Sequence, residues 1–295
     1  QPQALALDFL GKTTTYGALG QQIDALAGAL QTDLGVTKGD RVALLMPNTP
    51  YYVIAYYALL SIGAIVVNCN PLYSRDELDH IVTNSGAKVL VTVDLRMTFD
   101  SAEHLVARGH IEKLVVARFA DALPTTTKAM FRLARGKTLA KPERSPAASR
   151  VVWFADLLAR KRTPSPVAID PATDIAVQQY TGGTTGIPKG AMLSHANIAA
   201  NTDQIDKWGG TLFYAPSRIV AVLPFFHIFA MTTSLNAPLG SGGQVVMLPR
   251  FEMGPFLKLM KRTRPHVMSA VPTLLHALAV NPKCMHDHLA SLRVA

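Results

Sequence analysis

The strongest constraint on this chain is the alternation of short, unbroken apolar runs with segments whose apolar positions recur at helical spacing. A strand covered on both faces has no polar side to show, so parallel strands between helical layers read as continuous apolar runs. Residues 42–46, 64–67, 88–93, 113–117, 175–179, 219–223, 244–248 and 267–271 fit that description. Between them lies helical periodicity. Residues 15–34 place Leu19, Ile23, Leu26, Ala27, Leu30 and Leu34 on one face behind a candidate N-cap at Thr15. Ser74 and Glu77 stand at capping-box spacing, Leu78, Ile81 and Val82 then face inward, and Gly86 ends that helix. Further helical segments are expected near 98–107, 152–160, 195–208, 229–239, 253–262 and 273–280. Strands interleaved with helices predict α/β layers with largely parallel sheets, and so many strands predict two sheets rather than one. No fixed-period repeat is present.

One stretch tests that reading. No charge occurs between Arg41 and Arg75, and residues 51–67 are almost wholly apolar. A membrane-spanning helix needs about 20 such residues, and this run is shorter. Pro47-Asn48-Thr49-Pro50 precedes it, Gly63 interrupts it and Asn68-Cys69-Asn70-Pro71 follows it. The punctuation predicts a helix over 50–62 and then a buried strand.

Composition narrows the class. With 49% hydrophobic and 17% charged residues, the 295-residue chain has ample material for a core, which excludes intrinsic disorder. Cys69 and Cys284 form no CxxC pair, which excludes a disulfide framework and a cysteine zinc site. No leader pattern is present, and an intracellular, cytoplasmic location is expected. The net charge of +9 is concentrated: residues 128–150 hold Lys128, Arg132, Arg135, Lys137, Lys141, Arg144 and Arg150 against Glu143 alone. Such a stretch is a solvated basic loop or a surface for anions. Within it, 128–135 (KAMFRLAR) mixes apolar and basic residues in a crude amphipathic pattern suited to peripheral contact with an anionic membrane. Nucleic acid is not the expected partner. The run Cys284-Met285-His286-Asp287-His288 has ligand-like residues but no second cluster to complete a metal site.

Chemistry concentrates in residues 180–190, Tyr-Thr-Gly-Gly-Thr-Thr-Gly-Ile-Pro-Lys-Gly, directly after an expected strand. Gly182, Gly183, Gly186 and Gly190 let successive amides converge on an anion without side-chain obstruction. Thr181, Thr184 and Thr185 add hydroxyls, and Lys189 adds a mobile positive charge. These residues make a phosphate cradle. It is not a Walker A loop, because Pro188 and Gly190 flank Lys189 where Gly and Ser or Thr belong, and it does not fit the dinucleotide fingerprint.

With Ala191-Met192-Leu193-Ser194-His195, this stretch resembles the phosphate loop of the adenylate-forming superfamily, which includes acyl-CoA synthetases, luciferases and adenylation domains. Its Gly-Gly-Thr-Thr-Gly variant resembles long-chain fatty acyl-CoA synthetases in particular. Residues 67–73 (VNCNPLY) with Asp76-Glu77-Leu78, and 223–229 (LPFFHIF), resemble two further motifs of that family. The resemblance covers essentially the whole chain.

It implies a large N-terminal domain of two stacked α/β lobes, with the family's β-barrel and mobile C-terminal lid absent. The expected lobes are 41–195, and 1–40 together with 196–295. The implied reaction uses ATP, Mg2+ and CoA to convert a fatty acid to acyl-AMP and then to acyl-CoA. Thr184 is implied to contact the metal or β-phosphate, and Lys189 the phosphates. His227 would border the acyl-adenylate, and Phe225, Phe226, Phe229 and Met231 would line an apolar tunnel or simply belong to the core. The family's acidic motif, ribose-binding Asp and lid Lys should fall beyond Ala295, so the chain is expected not to complete the reaction alone. A homodimer is compatible with the resemblance. Two alternatives stay open: a ligase for aryl or short-chain acids, and a non-catalytic nucleotide- or membrane-binding module.

Overall fold

The computed structural model describes residues 1–181, 188–212 and 216–294. In chain order the strands are β1 (Leu5–Phe9), β2 (Lys12–Thr15), β3 (Arg41–Leu45), β4 (Ile65–Asn68), β5 (Val89–Val93) and β6 (Lys113–Ala117). They continue with β7 (Val151–Trp153), β8 (Ile175–Thr181), β9 (Lys189–Ser194), β10 (Arg218–Ala221), β11 (Gln244–Met247) and β12 (Val267–Met268). Helices used below are α1 (Tyr16–Leu34), α2 (Pro50–Ser61), α3 (Arg75–Ser85), α4 (Arg96–Ala107), α5 (Thr125–Arg135), α6 (Phe154–Ala159) and α7 (His195–Gly209).

The strands form two sheets, ordered β7-β6-β5-β3-β4-β8-β9 and β12-β10-β11-β1-β2. Every neighbouring pair is parallel except the two edge hairpins, β8–β9 and β1–β2. This is the α/β architecture with largely parallel sheets that the patterning predicts. Among the described residues no sheet closes into a barrel.

The chain divides into two compact units, one of Gln1–Ala18, Pro47–Pro50 and Ala199–Ala295, the other of Leu19–Met46 and Tyr51–Ile198. The expected lobe boundaries differ from this division over 19–40 and 196–198, which group with the seven-stranded sheet, and over 47–50, which group with the other unit. The reason lies in the C-terminal half of α1. A Cβ on Gly28 would sit 2.7 Å from the carbonyl of Arg162, so only glycine permits that approach of helix and backbone. Asp33 pairs with Arg160 at 2.8 Å and Arg162 at 3.4 Å, and Gln31 exchanges hydrogen bonds with Ser165.

In the seven-stranded unit both faces of the sheet are covered. Ala43, Leu45, Val67, Leu90, Leu114 and Val116 pack with Leu78, Ile81 and Val82 of α3 and Phe99, Ala102 and Leu105 of α4. The alternate strand residues Val42, Leu44, Val66, Val91 and Val115 are buried as well. That two-sided burial is why these strands read as unbroken apolar runs. The capping box forms as spaced: Ser74 N–H donates to Glu77 Oε2 at 2.8 Å, Glu77 N–H donates to Ser74 Oγ at 3.3 Å, and Gly86 closes α3 in the left-handed region. The apolar stretch 51–67 resolves into α2 and β4, and Tyr52, Val53, Ile54, Tyr56 and Leu59 of α2 are buried. Among the described residues no helix is long and apolar enough to cross a membrane.

In the five-stranded unit, Val220, Val222, Val246, Leu248 and Met268 pack with Phe256, Leu257, Met260, Leu274 and Leu278 from Met253–Thr263 and Pro272–Val280. Thr15 caps α1 as expected, its Oγ1 accepting from Ala18 N–H at 3.2 Å. Asp8 of β1 is buried, and Arg262 holds it with two hydrogen bonds of 2.6 and 2.7 Å. The expected helix at 229–239 is not regular: a short turn Ile228–Ala230 leads into a π-helix, Met231–Asn236, and then Ala237–Gly240. Pro238 supplies a reason, since it has no N–H to donate and its ring crowds the carbonyl four residues back. A widened turn accommodates both.

Candidate nucleotide site

Strands β8 and β9 frame the residues singled out by the sequence. They pair antiparallel at the edge of the seven-stranded sheet, with Thr181 opposite Lys189 and Tyr180 opposite Gly190. Gly182, Gly183, Thr184, Thr185 and Gly186 lie outside the described residues, so the expectations placed on them carry no geometry. Both Thr181 and Lys189 are exposed, one at each foot of that connection. A hydroxyl and an ammonium group are therefore presented side by side, free of the core. Gly190 is close-packed: a Cβ there would meet Gln178 Nε2 at 2.8 Å and the Tyr180 ring at 3.0 Å.

The hairpin is braced from α3. The Tyr180 hydroxyl donates to Asn84 Oδ1 at 2.6 Å and accepts from Gln178 Nε2 at 3.1 Å. His80 Nε2 lies 3.0 Å from the carbonyl oxygen of Pro188. Burial, with the neighbouring Cys69 as a smaller influence, pushes the Tyr180 hydroxyl above its ordinary pKa, so it stays a protonated donor. On β4, Asn68 links the core to β8: its Nδ2 donates to Gln179 Oε1 at 2.9 Å while its Oδ1 accepts from Tyr52 at 2.7 Å. These groups are buried and paired, which fixes the strand positions feeding the loop. Burial also pushes the Cys69 thiol up to about 12, which leaves it an unreactive packing residue.

In the five-stranded unit the stretch 223–229 forms a turn after β10. Asn48 clamps it: its Nδ2 donates to Leu223 O at 2.9 Å and its Oδ1 accepts from Phe225 N–H at 2.8 Å. The clamp separates the aromatic set. Phe225 and Met231 are buried, Phe226 is half-buried, and His227 and Phe229 are exposed, Phe229 by 45%. His227 stands ahead of the Ile228–Ala230 turn, its N–H donating to Pro224 O at 3.0 Å and its carbonyl accepting from Met231 N–H at 2.9 Å. Within the π-helix, Thr232 donates to Asn201 Oδ1 at 2.9 Å, and Thr233 Oγ1 accepts from Ser269 at 2.7 Å.

Asn48, His80, Asn84 and Gln178 are the supporting residues that sequence reasoning missed. Asn48, His80 and Asn84 act through partners far along the chain, whereas Gln178 bonds Tyr180 two residues on; only Asn48, inside a Pro-Asn-Thr-Pro turn signal, carried a local hint.

A sequence model of the AMP-binding enzyme family matches residues 1–295. The chain belongs to that family. The long-chain-fatty-acid–CoA ligase of Bacillus subtilis (strain 168) is 33% identical to it over 294 residues, covering 99% of this chain and 52% of that protein. The enzyme of the same name from Salmonella typhimurium is 34% identical over 294 residues, covering 97% of this chain and 51% of that protein. The chain thus spans about half the length of the curated relatives it matches. Among solved structures, ATP-bound MatB from Rhodopseudomonas palustris matches with a TM-score of 0.77 at 24% identity, covering 99% of this chain and 51% of that one. The fold is that of the N-terminal domain of adenylate-forming enzymes.

Proposed function

We propose that this chain binds ATP through residues 181–190 and serves the activation of a fatty acid, first to acyl-AMP and then to acyl-CoA. The observation that carries the reading is the Thr181–Lys189 pair at the loop end of a braced hairpin, in a chain of the AMP-binding family. Names of relatives supply the acid: two long-chain-fatty-acid–CoA ligases align over nearly the whole chain.

In this reaction a carboxylate oxygen attacks the α-phosphorus of ATP, the bond to the bridging oxygen breaks, and pyrophosphate leaves. The CoA thiol then gives up its proton and attacks the acyl carbon, releasing AMP. The first step builds negative charge on the departing pyrophosphate, and fixed donors aimed at that charge lower the barrier. Lys189 supplies a cation at the foot of the loop, and the Thr181 hydroxyl a neutral donor beside it. The bracing from Asn84 and His80 keeps both strand ends in place, so little reorganisation is needed when phosphate arrives. By the family resemblance, His227 is assigned to border the acyl-adenylate, and Phe225, Phe226, Phe229 and Met231 to its acyl chain.

Magnesium suits a sequence that offers threonine hydroxyls beside a phosphate, because the ion takes most of its ligands from phosphate oxygens and water. Thr184 is the residue assigned to it, and the ion would supply charge neutralisation on the phosphates.

ATP–pyrophosphate exchange by the full-length enzyme that contains this chain, run with straight-chain acids from acetate to stearate and with an aryl acid, tests the reading. Exchange strongest with the long acids supports it. A preference for acetate or the aryl acid assigns the chain to another ligase of the same superfamily. ATP binding with no exchange for any acid favours a non-catalytic nucleotide-binding module.

A further inference from the structure

Helix α5 is built inside out. Its inward side carries charge and one aromatic ring: Lys128 Nζ lies 2.7 Å and Arg132 Nη2 3.3 Å from Asp121 Oδ1, and the Phe131 ring packs on Phe119 with centroids 5.4 Å apart. Its outward side carries Leu133, 92% exposed, and Met130, 70% exposed, one turn apart. No residue of the helix is buried. An exposed leucine is ordinary taken singly; a leucine and a methionine exposed together, on the side of the helix away from the Lys128 and Arg132 ion pairs, is not.

The chain that follows this helix is rich in exposed positive charge. Arg135, Lys137, Lys141, Arg144 and Arg150 are all exposed, with Glu143 the one carboxylate between 128 and 150. The segment is pinned to the body of its unit. Arg96 Nε donates to Lys137 O at 3.1 Å, Ala140 N–H donates to Asp94 O at 2.8 Å, and Ser145 Oγ donates to Glu103 Oε1 at 2.5 Å. The cations are therefore carried on a segment held to the body of the unit and joined directly to the helix that exposes the apolar pair.

We propose that α5 and residues 136–150 form a docking surface for an anionic lipid bilayer. Met130 and Leu133 enter the boundary between headgroups and acyl chains, and the five exposed cations meet headgroup phosphates. Charge complementarity selects this occupant. A nucleic acid would engage the cations yet leave Leu133 in water, whereas a lipid surface satisfies both. The argument stands on this surface alone and does not depend on the acid-activation reading.

The test is co-sedimentation of the full 295-residue chain with vesicles of phosphatidylcholine, and of phosphatidylcholine with phosphatidylglycerol at a ratio of about 7:3. Partitioning should rise about tenfold or more with the anionic lipid and fall again in high salt. The double variant Met130→Asp, Leu133→Asp should lose about tenfold or more of that binding with an unchanged thermal melt, since both positions are exposed. A Leu133→Trp variant should show a blue-shifted emission on adding anionic vesicles. Equal partitioning with and without phosphatidylglycerol would overturn the proposal. So would anionic binding that the aspartate pair leaves intact, which would reduce the surface to a polyanion site such as nucleic acid uses. Loss of a dimer in that variant, with no vesicle binding by the parent, would reassign the face to self-association.

Discussion

The hydroxyl of Tyr180 donates to Asn84 Oδ1 at 2.6 Å, tying the penultimate residue of β8 to the C-terminal turn of α3. Tyr180→Phe leaves that acceptor and the Gln178 donor without their partner. The expected cost is about 1–2 kcal/mol in denaturant unfolding. Adding Asn84→Ala to Tyr180→Phe should cost little more than either change alone, because both remove the same bond.

Lys189 separates binding from stability. Its side chain is exposed, so Lys189→Ala should melt within about 0.5 kcal/mol of the parent. Titration with Mg·ATP should show affinity reduced about tenfold or more, as expected for loss of a charge-assisted phosphate contact. Unchanged ATP affinity would refute the assignment of this residue.

Asp94 gives the chain a pH dependence of defined sign. Burial pushes its carboxyl up to about 6, against the opposing hydrogen bond it accepts from Phe119 N–H at 2.7 Å. The folded state then holds this proton more tightly than the unfolded chain. Its contribution to stability is fully present below the unfolded pKa near 3.8 and is lost as pH rises through about 6. Asp94→Asn keeps an oxygen acceptor for Phe119 and carries no charge, so it should gain about 2 kcal/mol over the parent at pH 8. Urea melts from pH 4 to 8 would show the two proteins diverging as pH rises, by about that amount.

The Asp8–Arg262 pair should be costly to break from the arginine side. Arg262→Met leaves a carboxylate with only 6% of its side chain exposed and no cation beside it. Breaking a fully buried pair costs about 3–5 kcal/mol. Arg262 itself is 43% exposed and partly screened, so about 2 kcal/mol is the expected loss in thermal unfolding. Asp8→Asn in the same chain should recover part of it.

What could be read from the residues follows from which contacts are local. Strands β3–β6, β8, β10 and β11 announce themselves because both faces are buried, and the α3 cap is legible because its partners lie three residues apart. Strand β1 is hidden by Asp8, whose charge makes sense only beside Arg262. Strand β9 mixes exposed Lys189, Ala191 and Met192 with glycine, as an edge strand can, and so has no apolar run to show. The unit to which the end of α1 belongs is hidden for the same kind of reason: its neighbours are Arg160, Arg162 and Ser165. The phosphate-loop residues stand out by type, but the side chains that brace them, His80 and Asn84, look like ordinary positions on a helix.

The pairing of β1 with β11, which sets Leu7 beside Val245, bears on the order of assembly. As synthesis proceeds, the seven-stranded sheet has all its strands once residue 194 has emerged, so nearly all of that unit can collapse on itself. Residues 1–18, made before that sheet, find their partner strands only once residues 199–295 have appeared. A strand made early and docked late is exposed to wrong pairings in the interval, and that long closure is where slow folding and chaperone demand should concentrate.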